Sequence, residues 1–219
     1  MSPETEKSIQ NPYSIKEAKE ILGEKNVFGP EEWKKFFGDK VNFTPEELAK
    51  IEKLPWSTAI LKKPGIDQEH FLFLGLDRLD STPLNLLTWH KVYSGENQPK
   101  FYLDWYLSHK FAQVSCELRW YLMPVGMVEG SNNLPYDRQV SMLPSEYEVP
   151  SAIERASANV LYYLLNRKYL DPDYWVHTDD ESNGCNRVDV QGLSALGIRV
   201  YFCFEDMRSS IGVSASRKF

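Results

Sequence analysis

Apolar residues in the first third of the chain recur at steps of three and four residues, which is the spacing of amphipathic helices. Ser14 with Glu17 three residues later forms a capping-box pattern, and Thr44 with Glu47 repeats it. A further helix is predicted to begin near Pro30. The stripe of the first helix consists of Ile15, Ala18, Ile21 and Leu22. Because each helix must bury such a stripe, we expect a helical N-terminal region, residues 1–63, packed on the main domain.

After the KKPG run at 62–65 the composition shifts towards aromatic and β-branched residues, which predicts a main domain over residues 64–219. The continuous apolar run at 71–76 is typical of a buried strand, and the run VSCELRWYLM predicts a second strand that ends at Pro124. Residues 129–150 are rich in Gly, Ser, Asn and Pro, so we predict a long irregular loop there.

A helix is predicted to begin at Ser151, because apolar residues then recur at helical spacing. The outward face of this helix is predicted to carry Glu154, Arg155 and Asn159. Three short β-like runs follow at 187–191, 198–204 and 211–217, separated by turn-forming and acidic residues. This order predicts an α+β fold with a short antiparallel sheet at the C-terminus.

Composition and charge exclude several classes of protein. Hydrophobic residues make up 42% of the 219 residues and charged residues only 26%, which is typical of a packed globular protein rather than a disordered one. The net charge is -6 and the chain has no Lys/Arg-rich run, so we do not expect nucleic acid as a partner. The longest apolar runs fall far short of the roughly 20 residues that a membrane-spanning helix needs.

Residues 1–13 are polar and acidic and contain no apolar stretch typical of a secretory signal. We therefore expect a cytoplasmic location by default, with association with a virion or a surface left open. Three cysteines, Cys116, Cys185 and Cys203, are too few for a disulfide scaffold, and we expect them to be reduced. No glycine motif for phosphate binding occurs, and we expect no cofactor and a monomeric protein.

The residues that could bind a metal do not complete a known motif. The histidines, which lack zinc-helix spacing, are His70, His90, His109 and His177. Asp179, Glu181 and Asn183 precede Gly184 as oxygen ligands do in a calcium loop. The twelfth position of that loop, however, is Val190, where an EF-hand needs a bidentate glutamate. A solvated acidic turn at 179–184 is favoured, with a partial calcium site as the alternative.

The C-terminal run, residues 187–219, combines a regular framework with four consecutive apolar residues at 201–204, where a loop would be expected to carry polar ones. The framework consists of glycines placed for turns, the run GIRV, the spacing EDxR and the ending IGVSASRKF. The run YFCF at 201–204 interrupts this framework. This pattern resembles the variable proteins of diversity-generating retroelements, which use a C-type lectin fold related to that of formylglycine-generating enzymes. WYLMP at 120–124 and LPSEYEVPSAIE at 143–154 are similar to the same group.

The resemblance implies that an error-prone reverse transcriptase replaces template adenines, so that selected surface codons change while the fold stays constant. Randomising both adenines of AAC or AAT yields Tyr, Phe, Cys, Ser, Ala or Asp but never Gln, Glu or Met, which sets aside Gln191, Glu205 and Met207. The implied variable, ligand-binding residues are Asp189, Ser194, Ala195, Tyr201, Phe202, Cys203, Phe204, Ser209 and Ser210. We expect them to recognise a protein or surface ligand, without catalysis.

Two alternatives stay open. The YFCF run also fits a core strand in which Phe202 and Phe204 face inward with Val200, leaving Tyr201 and Cys203 outside. The related enzymes raise the possibility of a small cytoplasmic enzyme of the same fold, although their chemistry needs paired cysteines and Cys185 lies in a different element from Cys203. A structural virion component is a further alternative function.

Overall fold

The computed structural model describes residues 14–66, 68–182, 186–193, 195–202 and 209–219. Its helices are α1 (Ile15–Leu22), α2 (Pro30–Phe37), α3 (Pro45–Ile51), α4 (Thr58–Lys62), α5 (Leu86–Val92), α6 (Tyr136–Ser141) and α7 (Ala152–Asn166). Its strands are β1 (Val27–Phe28), β2 (His70–Leu74), β3 (Arg78–Leu79), β4 (Thr82–Pro83), β5 (Trp120–Pro124), β6 (Tyr147–Glu148), β7 (Trp175–Glu181), β8 (Arg187–Leu193), β9 (Gly197–Phe202), β10 (Ile211–Val213) and β11 (Ser216–Arg217). Helices and strands are mixed along the chain, and the fold class is α+β.

The N-terminal helices begin where their caps predict. The Ser14 hydroxyl accepts a hydrogen bond from the Glu17 amide at 3.2 Å, and the Glu17 carboxylate accepts one from the Ser14 amide at 2.9 Å. Thr44 and Glu47 form the same reciprocal pair at the start of α3. Each pair satisfies amide groups that a helix start leaves without partners. Apolar residues of these helices belong to the same buried cluster as the sheet residues that follow.

A three-stranded central sheet has the order β1-β2-β5, with β1 parallel and β5 antiparallel to β2. Every residue of β2 and β5 is buried, which confirms the predicted apolar strands. One face contacts α7, where the ring of Phe71 meets the edge of Tyr162 at 5.2 Å. On the other face the Trp120 indole donates to the Ile51 carbonyl of α3 at 2.8 Å. The sheet therefore lies between α7 and the N-terminal helices.

The C-terminal sheet has four strands in the order β10-β7-β8-β9. Strands β7, β8 and β9 are antiparallel, but β10 runs parallel to β7, so the prediction of a wholly antiparallel sheet is wrong. The outer edge of β9 is already occupied, because the Ile198 amide donates to Lys100 and the Ile198 carbonyl accepts from Tyr102. The chain therefore pairs β10 with β7 at the opposite edge.

Helix α7 begins at the predicted cap, Ser151, but its predicted outward face is wrong in part. Arg155 and Asn159 are fully buried. The Arg155 guanidinium pairs with Asp171 at 2.6 Å and donates to the carbonyl oxygens of Pro124 and Gly126 at 3.2 and 3.1 Å. Because these partners satisfy the buried charge, a position that looks polar in the helical pattern can face the core.

The segment predicted as a long loop, 129–150, contains helix α6 and strand β6. Strand β6 pairs antiparallel with β11, the last strand of the chain. The Trp56 indole donates to the Lys218 carbonyl at 2.8 Å and joins this C-terminal segment to the N-terminal region. Among the helices of the described residues, none is long and apolar enough to cross a bilayer.

Two framework glycines have different roles. Gly197, the first residue of β9, has a φ of +97° where the chain leaves the turn after β8, a conformation that favours glycine. Gly192 was predicted in a turn, but it lies inside β8. A Cβ atom at Gly192 would overlap the side chain of Tyr169 and lie 2.7 Å from the amide oxygen of Asn159. This glycine therefore permits close approach of β8 to the segment after α7.

Candidate ligand-binding face

The two faces of the C-terminal sheet differ because side chains alternate along each strand. The inner face is aliphatic apart from one threonine, is fully buried and packs on α7; it consists of Val176, Thr178, Val188, Val190, Ile198 and Val200. The opposite face, which we call the outer face, consists of Trp175, His177, Asp189, Gln191, Arg199 and Tyr201. The outer face thus combines rings, charges and amides on strands whose other side builds the core.

Tyr201 is the centre of an aromatic cluster. Its side chain is 41% exposed, and its ring centroid lies 6.0 Å from Trp105 and 6.1 Å from Trp175. The Trp105 indole donates to the Val200 carbonyl at 2.7 Å, which fixes this ring across the edge of β9. Phe202 stacks on Tyr201 at 5.1 Å and meets Trp105 at 4.9 Å. Tyr201 is therefore exposed yet held in one place by its neighbours.

Arg199 lies on the outer face between two aromatic rings. The central carbon of its guanidinium is 4.5 Å from the Trp175 ring centroid and 5.8 Å from that of Tyr102. Its Nε atom is buried and has no hydrogen-bond partner among the described residues. In the described part of the chain, no carboxylate lies within ion-pair distance of its guanidinium. Arg199 is a positioned cation for which the described residues provide no hydrogen-bond acceptor.

Two buried polar residues of β8 lie beside this cation. The Asp189 carboxylate is 2.5 Å from Nδ1 of His177, and the His177 ring meets the edge of Tyr136 at 5.5 Å. Gln191 is only 4% exposed, and its Oε1 atom has no hydrogen-bond partner in the described ranges. A buried amide without a partner costs free energy unless something outside the fold satisfies it.

The structure brings some of the predicted variable residues together. Asp189 and Tyr201 are directly opposite each other on β8 and β9, so their side chains share the outer face. Phe202, the next residue along β9, is half-buried, and its ring contacts both Tyr201 and Trp105. Ala195 is exposed in the turn between β8 and β9, and Ser209 and Ser210 directly precede β10. Ser194, Cys203 and Phe204 lie outside the described residues.

Sequence reasoning missed Trp175, Trp105 and Tyr102, the aromatic neighbours of Tyr201 and Arg199. Trp175 begins strand β7, which was not predicted because its acidic end looked like a loop. The alternation of WVHTD, with every second residue buried, was the available signal. Trp105 and Tyr102 come from a segment about which the local pattern says little, and Trp105 reaches Val200 across 95 positions of the chain.

The candidate calcium residues are used otherwise. Asp179 and Glu181 belong to β7, and Arg187 pairs with their carboxylates at 3.7 and 3.1 Å. Asn183 lies outside the described residues. Among the residues that the structure describes, no three His, Cys, Asp or Glu side chains are placed to share a metal ion. The arginine supplies the positive charge that these two carboxylates attract.

The described cysteine is not activated. Cys116 is fully buried beside the Ser157 hydroxyl at 3.5 Å, and burial raises the pKa of its thiol to about 12. Thiolate chemistry requires the opposite shift in pKa. Cys185 and Cys203, the pair considered for enzyme chemistry, lie outside the described residues.

No protein-family model, curated protein or solved structure matches this chain.

Proposed function

We propose that this is a ligand-binding protein that recognises a protein or surface ligand with the outer face of its C-terminal sheet. The observation that supports this most directly is the exposed ring of Tyr201, held among Trp105, Trp175 and Phe202. Rings fixed in this way offer a large contact area and lose little conformational entropy on binding, as in antibody paratopes. The cluster is suited to contact rather than to structural support.

The division of the strands into two faces supports the second part of the proposal, diversification by a retroelement. Asp189 and Tyr201 share the outer face, whereas Val190 and Val200 next to them form the buried inner face. A side chain on the outer face can therefore change without a change in the packing against α7. Tyr201, which is 41% exposed on this face, is at a position that tolerates the replacements that adenine-directed mutagenesis would cause.

The C-type lectin-like arrangement belongs to the same proposal and rests on the sequence resemblance of residues 187–219. The α+β fold and the antiparallel strands β7, β8 and β9 are compatible with it. In this arrangement the strands would serve as the constant frame, and the ligand would be selected by the variable side chains of the outer face.

The DNA that flanks the gene provides the test. We expect a near-copy of the segment that encodes residues 187–219, whose mismatches with the gene fall only at template adenines. The mismatches should include the codons of Tyr201 and Asp189 and should leave those of Val190 and Val200 unchanged. Mismatches spread over both faces, or the absence of any near-copy in the complete genome, would contradict diversification.

A further inference from the structure

We propose that Arg199, Gln191 and Trp175 form a constant binding site for a carboxylate group of the ligand. The inference deepens the proposed function, since it rests on the outer face being the ligand-binding face. It does not depend on diversification. Arg199 and Gln191 lie outside the predicted variable set, so the site would serve as a fixed anchor beside variable contacts.

The first support is the state of the Arg199 guanidinium. It is held over Trp175 at 4.5 Å, and no described side chain accepts a hydrogen bond from it. A guanidinium presents five N–H donors in a planar fork that matches both oxygens of a carboxylate. Stacking on a ring fixes the plane of this fork, which reduces the entropy lost on binding.

The second, independent support is the buried amide beside it. Gln191 is the direct cross-strand partner of Arg199, and its side chain is 96% buried. Its Oε1 atom has no partner, and amide oxygen and nitrogen can exchange places by a rotation of 180°. In the rotated form the NH2 group donates at the same place. A ligand oxygen between Gln191 and Arg199 would thus accept hydrogen bonds from two groups for which the described residues provide no partner.

The neighbouring carboxylate does not occupy the site. Asp189 is diagonal to Arg199 across β8 and β9, but its carboxylate oxygen lies 2.5 Å from Nδ1 of His177. The chain as a whole carries a net charge of -6, which repels a free anion at long range. We therefore infer a carboxylate next to a flat apolar group that can also contact Tyr201 or Trp175. Acidic peptides and acidic sugars both present such a group.

Direct binding of small probes tests the site. The probes are N-acetyltyrosine, which carries a carboxylate, and N-acetyltyrosinamide, which does not. Glucuronate and glucose form the matching sugar pair. Two-dimensional NMR of the full chain follows the indole and guanidinium N–H signals during titration. We expect at least one acid to bind about tenfold more tightly than its neutral partner, because a hydrogen-bonded charge pair is lost in the neutral compound. The acid that binds identifies a peptide or a sugar as the source.

Variants assign the binding to this site. Arg199→Gln is expected to abolish the preference for the acid, and Arg199→Lys to weaken it because lysine lacks the planar fork. Gln191→Leu removes the amide and should weaken binding about threefold. Arg187→Gln is the matched control, since this arginine of the same sheet is already paired with Glu181. Thermal unfolding curves show whether each variant is folded.

Three results would overturn the proposal: equal binding of acid and neutral probes, an unchanged preference in folded Arg199→Gln, or tighter binding of phenyl phosphate than of either acid. The test is separable from that of diversification. Carboxylate binding without a near-copy in the flanking DNA would retain the anchor and remove the retroelement. A near-copy without carboxylate binding would support diversification by a retroelement and contradict the carboxylate site.

Discussion

The two main sheets of this protein differ in how much of their surface is committed to the core. Strands β2 and β5 of the central sheet are buried on both faces, and their sequences, HFLFL and WYLMP, are almost continuously apolar. In the C-terminal sheet the inner face is buried throughout, whereas the outer face combines the buried polar residues Asp189 and Gln191 of β8 with the exposed ring of Tyr201 on β9. Only the C-terminal sheet therefore has a face on which side chains can be selected for something other than packing.

The difference lies in how the demands of packing are distributed over the two sheets. In the central sheet every substitution disturbs a packed neighbour. In the C-terminal sheet the alternation of side chains separates the two demands residue by residue. Substitutions placed in the two sheets should thus differ sharply in their effects on stability and on binding.

The largest effect is expected in the central sheet. Phe73 is fully buried and stacks on Tyr121 at 5.0 Å and on Phe71 at 5.6 Å. Phe73→Ala should lower the free energy of unfolding by about 3–5 kcal/mol, because it leaves a cavity between packed rings. Urea denaturation measures the change, with Leu48→Ala on the exposed side of α3 as the control. A loss as small as that of the control would show that the central sheet is not the main core.

The inner face of the C-terminal sheet should respond in the same way. Ile198 is fully buried on β9, and Ile198→Ala should cost about 2–5 kcal/mol of unfolding free energy. The comparison between the sheets would fail if this variant were as stable as the wild type, since the face would then not be part of the core. Urea denaturation, as for Phe73→Ala, measures the change in unfolding free energy of Ile198→Ala.

A pH effect is expected at the start of β2, the middle strand of the central sheet. His70 is buried; one ring nitrogen, Nδ1, lies 2.8 Å from the Gln68 carbonyl, and Nε2 lies 2.9 Å from the Tyr147 hydroxyl. Burial, and secondarily the nearby Arg217, lowers the pKa of His70 to about 4. In the unfolded chain the ordinary pKa is about 6.5, so the unfolded state binds the proton first as the pH falls.

Above pH 6.5 both states hold His70 neutral, so the residue does not affect the free energy of unfolding. As the pH falls from 6.5 towards 4, only the unfolded state binds the proton, and the folded state loses stability. The loss should reach about 3 kcal/mol at the lower end. His70→Asn removes the titrating group, so its urea midpoint should fall less between pH 7 and pH 5 than that of the wild type. Parallel curves for the two proteins would mean that His70 is not held neutral.

The smallest effect on stability is expected on the outer face. Tyr201→Ala should change the free energy of unfolding by less than about 1 kcal/mol, because the ring is 41% exposed and contacts other surface rings. Binding of the tyrosine or sugar acid should nevertheless weaken, since the flat apolar group loses its contact. A large loss of stability with unchanged binding would instead make Tyr201 a structural residue.

Features that depend on near neighbours could be predicted from the sequence. The caps at Ser14 and Ser151 are such features, because their partners lie three residues away. The apolar run of β2 is another, since it must be buried wherever the sheet lies. These elements account for the predicted α+β class.

Features that depend on distant partners could not be predicted. Arg155 looked solvent-exposed because the helical pattern contains no sign of Asp171 or of the carbonyl groups that satisfy its charge. The position of β10 beside β7 depends on the occupied edge of β9. In the candidate site, Tyr201 was identified from the sequence, but Trp105 and Arg199 gain their roles only when the segment at 100–105 covers that edge.

The contact between Gly192 and Tyr169 has a consequence at the level of the genetic code. Every glycine codon begins with two guanines, so an adenine-directed enzyme finds no template base to copy wrongly at either position. The place in β8 where any side chain would collide with Tyr169 would thus be invisible to the proposed mutagenesis. The proposed mutagenesis would then leave this close contact of the frame unchanged, and selection would not have to remove failed copies.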